Sequence, residues 1–135
     1  MHYLYYLHYL YYLYYYYCYY YLLPLSIIPD SYFFFLVVYH PPLQWCGHCK
    51  RLHPVWEELA DGITADPNGA GIKIANVDCT KDRDVCHKFD VRGYPTLKLF
   101  KDGKEVETYK KQRTTPALTD YVLSMSKKFM SETTD

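Results

Sequence analysis

Cys46 and Cys49, in the string Trp45-Cys46-Gly47-His48-Cys49-Lys50, are the residues best placed to do chemistry in this 135-residue chain. On the first turn of a helix, two cysteines separated by two residues bring their sulfurs close enough to bridge. A helix N-terminus carries unpaired N–H groups and the positive end of the macrodipole, and both favour an anion. A thiolate at Cys46 is such an anion, so its pKa is expected to fall below the free value of roughly 8.5. His48 adds a further donor and, when protonated, a nearby positive charge that favours thiolate over disulfide. Dithiol potentials run from about −270 to about −180 mV, and this pair is expected nearer the second value.

The same spacing serves other chemistries. A zinc site needs two more ligands at comparable spacing, whereas Cys79 and Cys86 are seven apart and His53 or His87 would have to be recruited. Haem attachment needs histidine directly after the second cysteine, and Lys50 stands there. An inert structural bridge is the remaining alternative to a redox pair.

The elements that must position the motif follow from hydrophobic spacing. Leu52, Val55, Trp56 and Leu59 repeat on one face of a helix, with Glu57, Glu58 and Asp61 on the others. Residues 72–77 alternate as a strand that ends at Asp78, and residues 82–89 read as a short helix capped near Thr80. Residues 96–101 alternate again, Asp102-Gly103 is a hairpin turn, and residues 104–109 return. Residues 116–129 form a last amphipathic helix with Thr115 as N-cap and proline at its first position. The order predicts an α/β layer arrangement.

Charge divides the chain. Residues 1–45 contain one charged residue, Asp30, while the rest holds 14 acids and all 15 bases. The balance of 15 against 15 argues against a nucleic-acid binder, which needs a basic surplus to neutralise phosphates. Thirteen of the 18 tyrosines lie in the first 21 residues, in no clean helical or strand period. That tract lacks the basic n-region, aliphatic core and small-residue cleavage site of a signal peptide. Residues 1–28 are long enough to contact or span a bilayer, but tyrosine belongs at the interface, so that reading is not favoured. Tyr, Leu, His and Phe codons are dominated by T, A and C, so the tract also reads as a translated simple repeat. An origin of residues 1–44 outside the coding sequence is the corresponding expectation, tested by the transcript across residue 44. Residues 32–39 (YFFFLVVY), uncharged and rich in aromatic and β-branched side chains, suit a strand buried on both faces.

Four strings, WCGHCKRLHPVWEELA, IKIANVDCTKDRDVC, FDVRGYPTLKLFKDGKEVETYK and QRTTPAL, resemble a thioredoxin-fold domain of the protein disulfide isomerase family, closest to its group with repeated thioredoxin domains. The match covers residues 45–130. The resemblance implies a thiol–disulfide oxidoreductase and isomerase that acts on cysteine-containing polypeptides in the endoplasmic reticulum lumen, without metal or organic cofactor. It implies Cys46 as attacking and Cys49 as resolving cysteine, with His48 assisting. Tyr94 and Pro95 correspond to the family's cis-proline loop, which with Trp45 would bind extended substrate. Pro54 matches the kink proline of the active-site helix. Arg113 matches an arginine thought to swing toward the second cysteine and lower its pKa. Cysteines at the places of Cys79 and Cys86 occur in the related group, where they would form a structural bridge; two buried free thiols are the alternative. Cys18 has no partner.

The sequence departs from the family in four respects. The approach His40-Pro41-Pro42-Leu43-Gln44 is two residues longer and lacks the proline just before Trp45. No counterpart of the family's first strand and helix precedes it. The acid usual on the strand leading to the motif is missing. Lys111 stands where glycine is common. The expected organisation is therefore a low-complexity segment over 1–31, an α/β thioredoxin-like domain over 32–130 that lacks the first strand and helix, with 32–39 as central strand, and a disordered tail over 131–135, which is no retention signal. Two other functional expectations stand beside the enzyme: a non-catalytic, incompletely folded fragment of a multi-domain isomerase, and a membrane-tethered oxidoreductase.

Overall fold

The computed structural model describes residues 34–132. The expectations for residues 1–33, namely the low-complexity segment, the membrane contact and the partner of Cys18, lie outside the described residues, as does the tail from residue 133 onward. The described chain runs β1 (Phe34–His40), a 3-10 turn (Leu43–Trp45), α1 (Gly47–Ala65), a second 3-10 turn (Pro67–Gly69), β2 (Ile72–Asp78), α2 (Arg83–Lys88), β3 (Thr96–Lys101), β4 (Lys104–Thr108) and α3 (Thr115–Glu132).

These strands form one four-stranded sheet in the order β2-β1-β3-β4. β1 pairs with β2 in parallel, Phe34 opposite Ile72 through His40 opposite Asp78, and with β3 antiparallel. A central strand covered on both faces needs an unbroken apolar run. Every residue of β1 from Phe34 to Tyr39 is buried. Phe34, Leu36 and Val38 face α1 and α3, where Leu52, Trp56, Leu59, Ile63, Leu118 and Val122 complete the larger core. Phe35, Val37 and Tyr39 face the other way, with Ala75, Val77, Phe100, Cys79 and Cys86. The Trp56 indole N–H donates to the Ala75 carbonyl at 3.2 Å, so α1 is tied to the sheet by a polar contact as well as by packing. Gly69 lets the chain turn under α1, since a Cβ there would lie 2.1 Å from the Ile63 carbonyl oxygen. The β3–β4 hairpin turns on Asp102 (φ 51°) and Gly103 (φ 80°), the left-handed pair that the tight-turn dipeptide supplies.

Four local expectations are corrected. The central strand includes His40, because its pairing with β2 continues to Asp78. The short helix has Asp82 at its N-cap position without a side-chain cap, while the Thr80 hydroxyl donates back to Asp78. Thr114 rather than Thr115 caps α3: its hydroxyl accepts from the Ala117 N–H and its carbonyl from Leu118. Thr115 instead donates to Glu58 on α1. The last helix also continues past residue 130, so Ser131 and Glu132 belong to it and not to a tail; the Ser131 hydroxyl donates to the Lys128 carbonyl.

Candidate active site

Cys46 and Cys49 are disulfide-bonded, with Cα atoms 5.2 Å apart. Cys46 is extended (φ −136°, ψ 101°) and is the N-cap residue of α1; its sulfur accepts the Cys49 backbone N–H at 3.2 Å. An N-cap position normally belongs to Ser, Thr, Asp or Asn, whose oxygen takes that N–H. A sulfur there occupies the place at which a helix receives negative charge. The two cysteines differ in access: Cys46 is half-buried, whereas Cys49 is 3% exposed beneath it. Pro54, inside α1, removes the N–H that would otherwise bond the Lys50 carbonyl.

His48 is exposed, and Arg51 Nη2 lies 2.8 Å from its Nδ1. A guanidinium can only donate. Nδ1 therefore accepts, the ring proton sits on Nε2, and the fixed positive charge beside the motif comes from Arg51. Its Nη1 also lies 3.7 Å from where a Cβ on Gly47 would stand. Arg51 is thus a site residue that motif reading passed over, and its spacing of three from His48 on a helix was the available signal.

The Tyr94–Pro95 bond is cis, Pro95 is buried, and Tyr94 is 45% exposed. Trp45, at 69%, is the most exposed large apolar side chain among the described residues. The Arg113 guanidinium donates to the Pro95 carbonyl at 3.3 Å, and the two residues share an open cleft with Thr96, Tyr109 and Lys111. Beside that cleft, Tyr109 and Tyr121 pack with ring centroids 4.7 Å apart, and Tyr121 donates to Glu107 at 2.6 Å. Burial first, and then the bond to Glu107, raise the Tyr121 hydroxyl well above its ordinary range.

Cys79 and Cys86 form a second disulfide, with Cα atoms 5.7 Å apart and both residues buried, at 6% and 5% exposure. It joins the end of β2 to α2 on the sheet face away from α1. Next to it, burial alone would raise the Asp78 carboxyl. The Thr80 hydroxyl and backbone N–H outweigh that, aided by His40 and Lys81, and hold it below the usual carboxylate value.

On the inner side of the motif, a pocket opening to solvent is lined by Val38, His40, Cys49, His53, Trp56 and Asn76, among others. His40 and Asn76 were not singled out in the sequence, because only the parallel β1–β2 register sets them side by side. Among the described residues, no group of three His, Cys, Asp or Glu side chains is arranged to hold a metal ion, and no helix is long and apolar enough to cross a membrane.

Residues 31–124 match the thioredoxin family model, over more than half of the chain. The chain is 43% identical over 81 residues to the thioredoxin domain-containing protein 5 homolog of Drosophila melanogaster, covering 60% of this chain and 19% of that protein. It is 44% identical over 90 residues to the protein disulfide-isomerase of Humicola insolens, covering 67% of this chain and 17% of that protein. Among solved structures, it is similar to the zinc-bound form of human ERp44, with a TM-score of 0.64 and 34% identity over 70% of this chain and 28% of that one. The chain spans less than a fifth of the length of these two curated relatives.

Proposed function

This chain belongs to the thioredoxin family, and from that premise we propose that it is a thiol–disulfide oxidoreductase of the disulfide isomerase kind, acting on cysteine-containing polypeptides. One observation carries the reading: a half-exposed Cys46 caps a helix with its sulfur and is bonded to a buried Cys49. An accessible sulfur that receives a backbone N–H is suited to be attacked and to leave as an anion. A buried partner is suited to act only within the molecule.

In the reducing direction the Cys46 thiolate attacks one sulfur of a substrate disulfide. A Cys46–substrate bond forms and the other substrate sulfur leaves as a thiolate. Cys49 then gives up its proton and attacks Cys46, which forms the Cys46–Cys49 bond and releases the second substrate sulfur. The substrate gains two electrons and the dithiol loses them. The reverse sequence oxidises a substrate dithiol. The helix terminus and the Arg51–His48 pair favour the Cys46 anion. Trp45 and Tyr94 offer exposed rings to an unfolded chain, and Pro95 sets the backbone of the loop beside them. Arg113, which donates to the Pro95 carbonyl of that loop, is expected to tune Cys49.

The Cys79–Cys86 bridge favours an oxidising compartment. With the family resemblance, this supports the lumen of the endoplasmic reticulum as the site of action. The test is reduction of insulin disulfides by the full chain with dithiothreitol as electron source. Cys46→Ser is expected to abolish turnover, and Cys49→Ser to accumulate a mixed disulfide on Cys46. Undiminished turnover in Cys46→Ser overturns the reading.

A further inference from the structure

Cys49 must lose a proton before it can attack the mixed disulfide, yet it is buried next to Val38, Leu52 and Trp56. An unaided thiolate in such surroundings is disfavoured. The titratable side chains that share its pocket are His40 and His53. His53 is held by Glu57, with its Nε2 3.0 Å from the carboxylate, and its side chain is 41% exposed. His40, at the end of the central strand, is half-buried.

The hydrogen bonds of His40 define its state. Nδ1 lies 2.6 Å from the Pro41 carbonyl oxygen, which can only accept, so Nδ1 carries the proton. Nε2 of the neutral ring is then an acceptor, held at 3.0 Å by the Asn76 amide nitrogen. An asparagine serves both states of such a ring. Its NH2 donates to the neutral imidazole, and a half-turn of the amide presents its oxygen to the imidazolium. Asp78 on β2 is the partner of His40 in the strand register and interacts with it electrostatically. Lys81 also attracts Asp78, and on the α1 side the pocket presents Cys49 and His53.

We propose that His40, poised by Asn76, is the proton acceptor for Cys49 during resolution of the mixed disulfide. The Asn76 amide first turns its N–H away from the single Nε2 lone pair, and the proton then passes from the Cys49 thiol to Nε2 through a water, which the pocket has room for. The Cys49 sulfur attacks Cys46 Sγ, the Cys46–substrate bond breaks, and the departing substrate thiolate takes up a proton from His40 or solvent. Neither buried charge stands alone, because thiolate and imidazolium form together. This rests on the oxidoreductase reading above and assigns the proton step within it. The acid missing from the strand is thereby replaced by a base at that strand's end.

The experiment is a quenched-flow reaction of the reduced full chain with glutathione disulfide, trapped by alkylation and read by mass, from pH 5.5 to 9. In the wild type the Cys46–glutathione adduct forms and resolves, with a resolution rate that rises with pH to an inflection below the thiol range and then flattens. His40→Gln is expected to resolve about a hundredfold more slowly near neutrality, the lower end for a positioned base. Its rate should climb tenfold per pH unit until the curves converge about two pH units above neutrality, beyond the free thiol value of about 8.5, as the burial of Cys49 requires. Asn76→Asp, which sets a carboxylate beside the ring, is expected to move the wild-type inflection to higher pH. This second variant decides the matter if His40→Gln does not fold. His53→Gln is expected to leave the profile unchanged. A His40→Gln profile parallel to the wild type, an unmoved inflection in Asn76→Asp, or a loss confined to His53→Gln each overturns the proposal. Absence of the Cys46–glutathione adduct in the wild type would instead overturn the oxidoreductase reading.

Discussion

The two disulfides are the same covalent bond closed over short loops in one small domain, and they differ in what surrounds the sulfur. Cys46 stands at the mouth of α1, half-exposed, with a backbone N–H on its sulfur and the Arg51–His48 pair alongside. Cys79 and Cys86 lie against Val77, Phe100 and the other side chains of the outer-face core, both nearly inaccessible. A thiolate must reach a disulfide and a stabilised thiolate must leave it before exchange proceeds. The first bond meets both requirements and the second meets neither. The reactivity of a cystine is thus set by its position on a helix or in a core, and cysteine spacing alone does not reveal it.

The largest expected effect is selective reduction. A structural disulfide below about −300 mV and a pair near −180 mV differ by about 120 mV, or about four powers of ten in the exchange equilibrium. Titration with glutathione buffers, followed by alkylation and mass analysis, should therefore open Cys46–Cys49 while Cys79–Cys86 stays closed. Simultaneous opening would break the comparison. Next in size is removal of the buried bridge. Cys79→Ala with Cys86→Ala is expected to cost about 2.5 kcal/mol by loop-closure entropy, read in urea melts, while insulin reduction is unchanged under conditions where the variant is folded. Lost turnover at full stability would give the buried bridge a catalytic part.

A smaller effect is expected from Arg51→Gln. With the guanidinium gone, alkylation of reduced Cys46 near neutrality should slow by a factor of about two to five, and less so at high salt. An unchanged rate would leave the helix terminus as the source of the anion's stability. The smallest concerns the flank of the buried bridge. Asp78 is held below its ordinary value near 3.8, so it stabilises the fold above that pH and loses the contribution as pH falls through its folded value. Thr80→Val removes the hydroxyl bond and should raise the acid-unfolding midpoint by a fraction of a pH unit. A midpoint that moves downward would contradict the assignment.

Much of the fold was legible because its signals are local. The alternation in residues 72–77 and 96–101, the Asp-Gly turn and the apolar stripe of α1 each report on their own segment, and the structure places elements where they fall. Thr114 and Thr115 both qualify by type as the cap of α3, and only the Glu58 side chain across the interface takes the second. The motif names His48 but not its partner, the Arg51 guanidinium three residues along the helix. The motif names Arg113 but not its partner in the fold, the Pro95 carbonyl of the cis-proline loop.

By itself the sequence determined the chemistry and its carrier: two cysteines at helix-turn spacing, an amphipathic helix to hold them, and a charge-free run able to serve as a central strand. Those depend on residue type and on periods of a few residues, which the backbone converts directly into geometry. Tertiary structure alone decided which cysteine is reachable, which groups share the pocket of the other, and what surrounds each disulfide. His40 and Asn76 are 36 positions apart, and the parallel register of β1 on β2 makes them neighbours. The burial of Cys49 likewise comes from packing α1 on the sheet, so access and proton transfer were settled only once the chain had folded.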